Sequence, residues 1–122
     1  MSTKLRALRG ATTVPEDTPD AISAATGELL AAMMERNDVA VGDIVSLVFT
    51  ATPDLASAFP AAAARSQGLE EVPLLCAQEI AVEGSLPRCI RVLMHLYSER
   101  DYASLRHVYL GAARRLREDL PE

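Results

Sequence analysis

Aromatic side chains are scarce in this 122-residue chain: two Phe, three Tyr and no Trp, 4% in all. Apolar residues nevertheless make up 49%, so the interior has to be filled by Ala, Val, Leu, Ile and Met. A Phe left outside it asks for an explanation. Cysteine is rarer still. Two thiols cannot make a disulfide scaffold, and a chain of this length can bury enough apolar surface to fold without one. Positive charge is in deficit: 12 Lys and Arg against 17 Asp and Glu leave a net charge of −5. An acidic chain poor in aromatics lacks both the clustered cations and the stacking rings of a nucleic-acid binder, so no nucleic-acid partner is expected. No apolar run approaches the ~20 residues of a membrane span. The opening Met1-Ser2-Thr3-Lys4-Leu5-Arg6 has no apolar stretch behind it of the kind a secretion signal carries. The expectation is a soluble, cytoplasmic protein, one domain over 1–122, with no membrane partner.

The common chemical signatures are missing as well. There is no GxSxG, no phosphate loop and no GxGxxG, which disfavours most hydrolase and nucleotide chemistry. His95, His107, Cys76 and Cys89 are scattered without metal-ligand spacing, and neither cysteine stands in a recognisable Cys/His pair. No metal and no cofactor are expected.

What is present reads as alternating elements. Leu5 to Gly10 is an apolar/basic alternation that suits a first strand, and Thr12 to Asp20 is turn material. Thr18-Pro19-Asp20 is a helix start, with a capping hydroxyl, a proline at the first helical position and an acid at the positive end of the dipole. Ile22, Ala25, Leu29 and Met33, widened by Leu30 and Met34, form its apolar stripe, and the helix should end near Asn37. Ile44 to Thr50 is almost wholly apolar and predicts a strand buried on both faces. Pro60 opens a short helix that Gly68 closes, and Val72 to Cys76 predicts a third strand. In Arg88 to Tyr97, Ile90, Val92, Met94 and Leu96 fall on one face and Cys89, Arg91, Leu93, His95 and Tyr97 on the other. Arg106 to Leu110 is a short fifth strand, with His107 and Tyr109 on one face. This order predicts an α/β (α+β) fold, a mixed five-stranded sheet with flanking helices.

The chemistry that remains is arginine. Arg9 stands where the first strand gives way to loop, and Arg91 lies mid-strand on the less apolar face. A guanidinium cannot shed its charge, so Arg91 needs an anion or a pocket. Spacing alone favours a structural ion pair with Glu79 or Glu83. Arg114, Arg115 and Arg117 are accounted for by a solvated C-terminal helix face. The residues support a site for a small anion, lined by Arg and Tyr109, and leave the ligand open.

The motifs also follow a familiar order. Arg9-Gly10-Ala11-Thr12-Thr13, Ala51-Thr52-Pro53-Asp54-Leu55, Ala58-Phe59-Pro60-Ala61, Val72-Pro73 and Cys76-Ala77-Gln78-Glu79 come first. Cys89-Ile90-Arg91-Val92, Arg106-His107-Val108-Tyr109-Leu110 and Leu116-Arg117-Glu118-Asp119-Leu120 follow. From Arg6 to Leu120 the chain closely resembles the monofunctional chorismate mutases of the trimeric α/β-barrel type. The resemblance implies the rearrangement of chorismate to prephenate on the route to Phe and Tyr, without a cofactor. It reverses the preference for a purely structural Arg91.

By the same resemblance, Arg91 donates to the substrate's ether oxygen and touches a carboxylate. Arg9 and Tyr109 hold a carboxylate, Glu79 accepts from the substrate hydroxyl, and Cys76 lines the pocket beside it. Phe59 and Arg65 enter from a neighbouring subunit of a homotrimer, and Arg117 belongs to a closing C-terminal segment. The chain departs from the family at Ala62, where a lysine is frequent, at Glu118, where a proline is common, and at Ala77, where Met is familiar. Two other readings share features with this one: a trimeric imine or enamine deaminase, and a non-catalytic sensor of a shikimate-pathway acid. Glu79 beside Arg91 separates them, because a bare carboxylate binder has no use for a buried anion.

Overall fold

A computed structural model describes residues 2–117. Strand β1 (Lys4–Thr13) is followed by helix α1 (Pro19–Arg36), strand β2 (Ile44–Ala51), helix α2 (Ala61–Ser66) and strands β3 (Leu74–Gln78), β4 (Cys89–Ser98) and β5 (Val108–Tyr109). Single 3-10 segments cover Val41–Asp43 and Gly111–Arg117. The strands form one mixed five-stranded sheet in the order β3-β2-β4-β1-β5. Here β4 runs antiparallel to both neighbours, while β3 and β5 pair in parallel with β2 and β1.

The ends of α1 are fixed by its caps. The Thr18 side chain accepts from the Ala21 amide at 3.1 Å, with Pro19 following at the first helical position. At the other end the buried Asn37 donates to the Met33 carbonyl (2.9 Å) and the Arg106 carbonyl (2.9 Å) and accepts from the Arg106 amide (2.7 Å). One side chain thereby ties the helix end to the segment that enters β5. The apolar stripe, with Leu29, Leu30 and Met33 fully buried, packs on Leu8, Phe49, Val92, Met94 and Val108 of the sheet. The helix comes close because Gly10 stands beneath it: a Cβ there would lie 2.4 Å from the Met33 sulfur.

Both helices cover the same face of the sheet, and this corrects one expectation. Strand β2 buries Ile44, Leu47 and Phe49 on the helix side, but Ser46, Val48 and Thr50 on the other side are only half-buried. The continuous apolar run therefore signals a second face that nothing in one chain covers. Along it, Leu5, Leu75, Leu93 and Tyr97 are exposed. A register shift between Ile44 and Ser46 also turns Val45 outward. Three boundaries move as well. Thr12 and Thr13, expected in a turn, continue β1 because β4 pairs with them out to Cys89. Strand β3 starts two residues late, since Val72 is buried in the core and Pro73 only lends its carbonyl to the Leu47 amide. Strand β5 shrinks to two residues, because the Arg9 amide is taken by the His107 ring at 2.9 Å instead of a backbone carbonyl. Among the described residues, no helix is long and apolar enough to cross a membrane.

Candidate active site

Because paired residues on neighbouring strands share a face, register alone aligns a row across the uncovered side. It runs Ala77 (β3), Thr50 (β2), Arg91 (β4), Ala11 (β1) and Tyr109 (β5), with Arg9 and Leu93 paired in the adjacent row. A depression of about 240 Å³ is lined by Arg9, Ala11, Thr50, Arg91, Leu93 and Tyr109. Ala11 is small enough to leave a floor between the arginine and the tyrosine.

Arg91 is held from behind. Its Nε donates to Glu79 Oε1 at 3.2 Å and to Oε2 at 3.1 Å, and the Thr50 hydroxyl donates to the same Oε2 at 2.6 Å. Glu79 follows β3 directly, its amide bonded to the Ala51 carbonyl at 2.9 Å, so the ladder delivers the carboxylate there. The expected structural ion pair thus exists, and with Glu79 rather than Glu83. It does not exhaust the arginine. The Arg91 side chain is 44% exposed against 18% for Glu79, and a pair that open contributes at most ~1 kcal/mol. Among the described residues nothing accepts from its terminal nitrogens, and the Arg9 guanidinium has no hydrogen-bond or ion-pair partner. A ligand with two anionic groups would meet two unspent forks.

The start of β4 is clamped to the end of β2. Thr52 Oγ1 donates to Asp54 Oδ1 at 2.5 Å and accepts from the Cys89 amide at 3.0 Å. The Asp54 carboxylate accepts from the Arg88 amide at 2.9 and 3.1 Å, holding that residue in a left-handed conformation with φ 46°. This tie, two residues from Arg91, gives the Thr52-Pro53-Asp54 turn a positioning role that its breaker residues did not announce. Thr50 was likewise not singled out; its only signal was a hydroxyl inside an otherwise apolar run.

The tail end of the site is cationic. His107 Nδ1 must be unprotonated to accept from the Arg9 amide. Burial first, then the positive charges of Arg9 and Arg117, hold this imidazole below its usual pKa of 6.5. Arg117, half-buried at the end of its 3-10 segment, therefore lies within electrostatic reach of Arg9's neighbour, while Arg114 and Arg115 are exposed. Glu118 and the rest of its motif lie outside the described residues.

A second group of expected residues sits elsewhere. Phe59 is 75% exposed, whereas Phe49 is fully buried. Phe59, Pro60, Cys76 and Phe49 line a separate depression of about 360 Å³, which also touches Thr50. The loop before Phe59 is anchored by Asp17, which accepts from the Ala56 amide (3.0 Å), the Ser57 amide (3.1 Å) and the Ser57 hydroxyl (2.8 Å). The hydroxyl bond is the main cause of that carboxyl's lowered pKa. Cys76 pairs in register with Phe49 and packs on the core, so within one chain β3 turns it away from the face that bears Arg91. Arg65 is exposed at the end of α2, beside the exposed Ala62. The two thiols are free, and burial pushes that of Cys89 up, away from thiolate chemistry. Arg9, Arg91 and Tyr109 thus line one depression, with Glu79 bonded to Arg91, and Phe59 and Cys76 line another.

Comparison with known proteins identifies the family. Residues 5–120 match the family model described as chorismate mutase type I. "Chorismate mutase AroH" of Thermus thermophilus is 52% identical over 117 residues, covering 95% of this chain and 96% of the relative. Its namesake in Bacillus subtilis (strain 168) is 43% identical over 117 residues, covering 95% and 92%. A solved structure, "Chorismate mutase from Clostridium thermocellum Cth-682", superposes with a TM-score of 0.88 at 49% identity, covering 89% of this chain and 97% of that one. The chain belongs to the chorismate mutase type I family.

Proposed function

We propose that the uncovered face binds chorismate and that the chain is an isomerase converting it to prephenate, with Arg91 at the breaking bond. The observation that carries this reading is the Glu79 carboxylate 3.1 Å from Arg91 Nε: a cation and an anion side by side suit a substrate that bears both carboxylates and a hydroxyl. In the rearrangement the ether C–O bond breaks as a C–C bond forms, electrons move around a six-membered ring, and no atom is gained or lost. The step needs no nucleophile and no proton transfer. Its rate comes from holding the reactive chair-like conformer and from charge placed where negative charge grows on the ether oxygen. The terminal nitrogens of Arg91 serve that oxygen and a carboxylate. Arg9 and Tyr109 hold a carboxylate, and Glu79 accepts from the hydroxyl.

Each site is completed by a neighbour in a homotrimer, with Phe59, Cys76 and Arg65 of one copy meeting Arg9, Glu79, Arg91 and Tyr109 of the next, and Arg117 closing over it. Support comes from the exposure of Phe59 and from the apolar residues on the uncovered face. The same reading makes 1–122 one chorismate mutase domain working in the cytoplasm on the route to Phe and Tyr. The test is direct: purified protein should abolish the diene absorbance of chorismate and yield a product that acid converts to phenylpyruvate. Unchanged absorbance at micromolar enzyme defeats the proposal.

A further inference from the structure

Thr50 is half-buried on β2, directly across from Arg91, and its hydroxyl donates to Glu79 Oε2 at 2.6 Å. That oxygen also accepts from Arg91 Nε at 3.1 Å. A carboxylate held only by an exposed guanidinium can swivel about its last torsions and follow the arginine wherever it moves. The short bond from a backbone-fixed hydroxyl removes this freedom. Threonine is stiff at χ1, and its strand is paired on both sides, by β3 and by β4. With Glu79 fixed, Arg91 is gripped at its Nε, which leaves the two terminal nitrogens for a ligand. We propose that Thr50 is a positioning residue for the rearrangement: through Glu79 it pre-sets the Arg91 guanidinium in the orientation the transition state requires. The inference rests on the reading of this face as the chorismate site. It predicts that the loss falls on turnover more than on binding, because a loosened guanidinium still attracts an anion but must be ordered during the reaction.

Thr50→Val preserves the shape and the β-branched fit to a strand while deleting the hydroxyl. It should unfold within a few degrees of the unchanged protein. Its kcat should fall about tenfold with KM changed by less than about threefold, the signature of an interaction realised mainly in the transition state. Thr50→Ser restores the donor and should return kcat to within about twofold of the unchanged enzyme. In a Glu79→Ala background the valine should cost nothing further, since the hydroxyl then has no carboxylate to hold. An equal loss in both backgrounds, or no rescue by serine, overturns the proposal. An independent readout needs no substrate. The side-chain Nε–H resonance of Arg91, assigned by its loss in Arg91→Lys, should match between the unchanged protein and Thr50→Ser. In Thr50→Val it should shift and lose protection from solvent exchange. If chorismate is not consumed at all, the functional reading fails on its own, and an Nε–H signal indifferent to Thr50→Val still refutes the positioning role.

Discussion

Arg91→Ala deletes a side chain that lines the depression and whose Nε lies 3.1 Å from Glu79. Two losses have to be separated. The ion pair itself, with the arginine side chain 44% exposed, contributes at most ~1 kcal/mol to the fold, so the variant should remain folded. The catalytic loss is larger. A fixed charge aimed at a developing oxyanion is worth on the order of 3–4 kcal/mol, which corresponds to a fall of about 10²–10³ in kcat. Substrate binding suffers as well, because Glu79 then faces an anionic substrate without its countercharge. Arg91→Lys should recover little: a lysine offers one compact charge, and the carboxylate already positioned at the Nε level would capture it, leaving no second donor for the ether oxygen. The assay is the initial rate of diene loss over a range of chorismate concentrations, with circular dichroism to establish folding. A near-normal kcat with only a raised KM would show that Arg91 merely holds substrate, and the reasoning would fall.

Since no proton moves in the reaction, kcat should be nearly flat from about pH 6 to 9; a steep bell whose limb vanishes in His107→Gln refutes this. Stability should respond to the same histidine. Its folded pKa lies below the 6.5 of the unfolded chain, so the unfolded state binds the proton more readily. The destabilisation is absent above pH 6.5, grows as pH falls below it and levels off beneath the folded pKa, whereas His107→Gln should unfold with a flatter profile. Gly10→Ala places a methyl 2.4 Å from the Met33 sulfur and should cost about 1–3 kcal/mol, a Tm loss of roughly 3–6 °C per kcal/mol. An undiminished loss in a Met33→Ala background would acquit that contact. Phe59→Arg and Arg91→Ala should each keep only residual activity alone, yet co-refolded mixtures should regain about one working site per mixed ring, since head-to-tail interfaces pair an intact half with an intact half at one junction. Confirmed mixed trimers without activity would put each site inside a single chain.

The readable parts of the sequence were those governed by local rules. The Thr18 cap, the helix stripe and the face division of β4 depend on residues within a few positions of one another, and all three stand as read. What local rules missed was set by partners far away in the chain. Strand β1 runs on through Thr13 because β4 pairs with it, and β5 is cut short by a ring that reaches the Arg9 amide across 98 positions. The uncovered face of β2 was misjudged because a run of apolar residues looks the same whether helices of its own chain or another surface lies against it. At the site, charge and spacing paired Arg91 with Glu79 or Glu83 without choosing between them, and the hydroxyl that orients the pair was not legible: one threonine inside an apolar strand carries no signal until the register sets it opposite the arginine.

The division of the expected residues into two depressions follows from the two-residue period of a strand. Neighbouring positions on β3 and β2 must face opposite ways, so a chain that spends Cys76 and Phe49 on the helix side turns Leu75, Ala77, Val48 and Thr50 to the other. A single sheet cannot turn both sets toward one ligand. The residues that bind charge therefore stand on a face where Leu5, Leu75, Leu93 and Tyr97 are also exposed, while the exposed Phe59 ring lines the other depression. A copy laid against that face would bury the apolar side chains and could carry its own Phe59 toward the neighbour's arginines. In a head-to-tail ring this repeats at every junction without leaving an unmatched half. On this argument assembly and catalysis are one requirement in the proposed trimer: the hydrophobic surface that drives association is the same surface that excludes water from around Arg91, and a substitution that weakens the first should weaken the second.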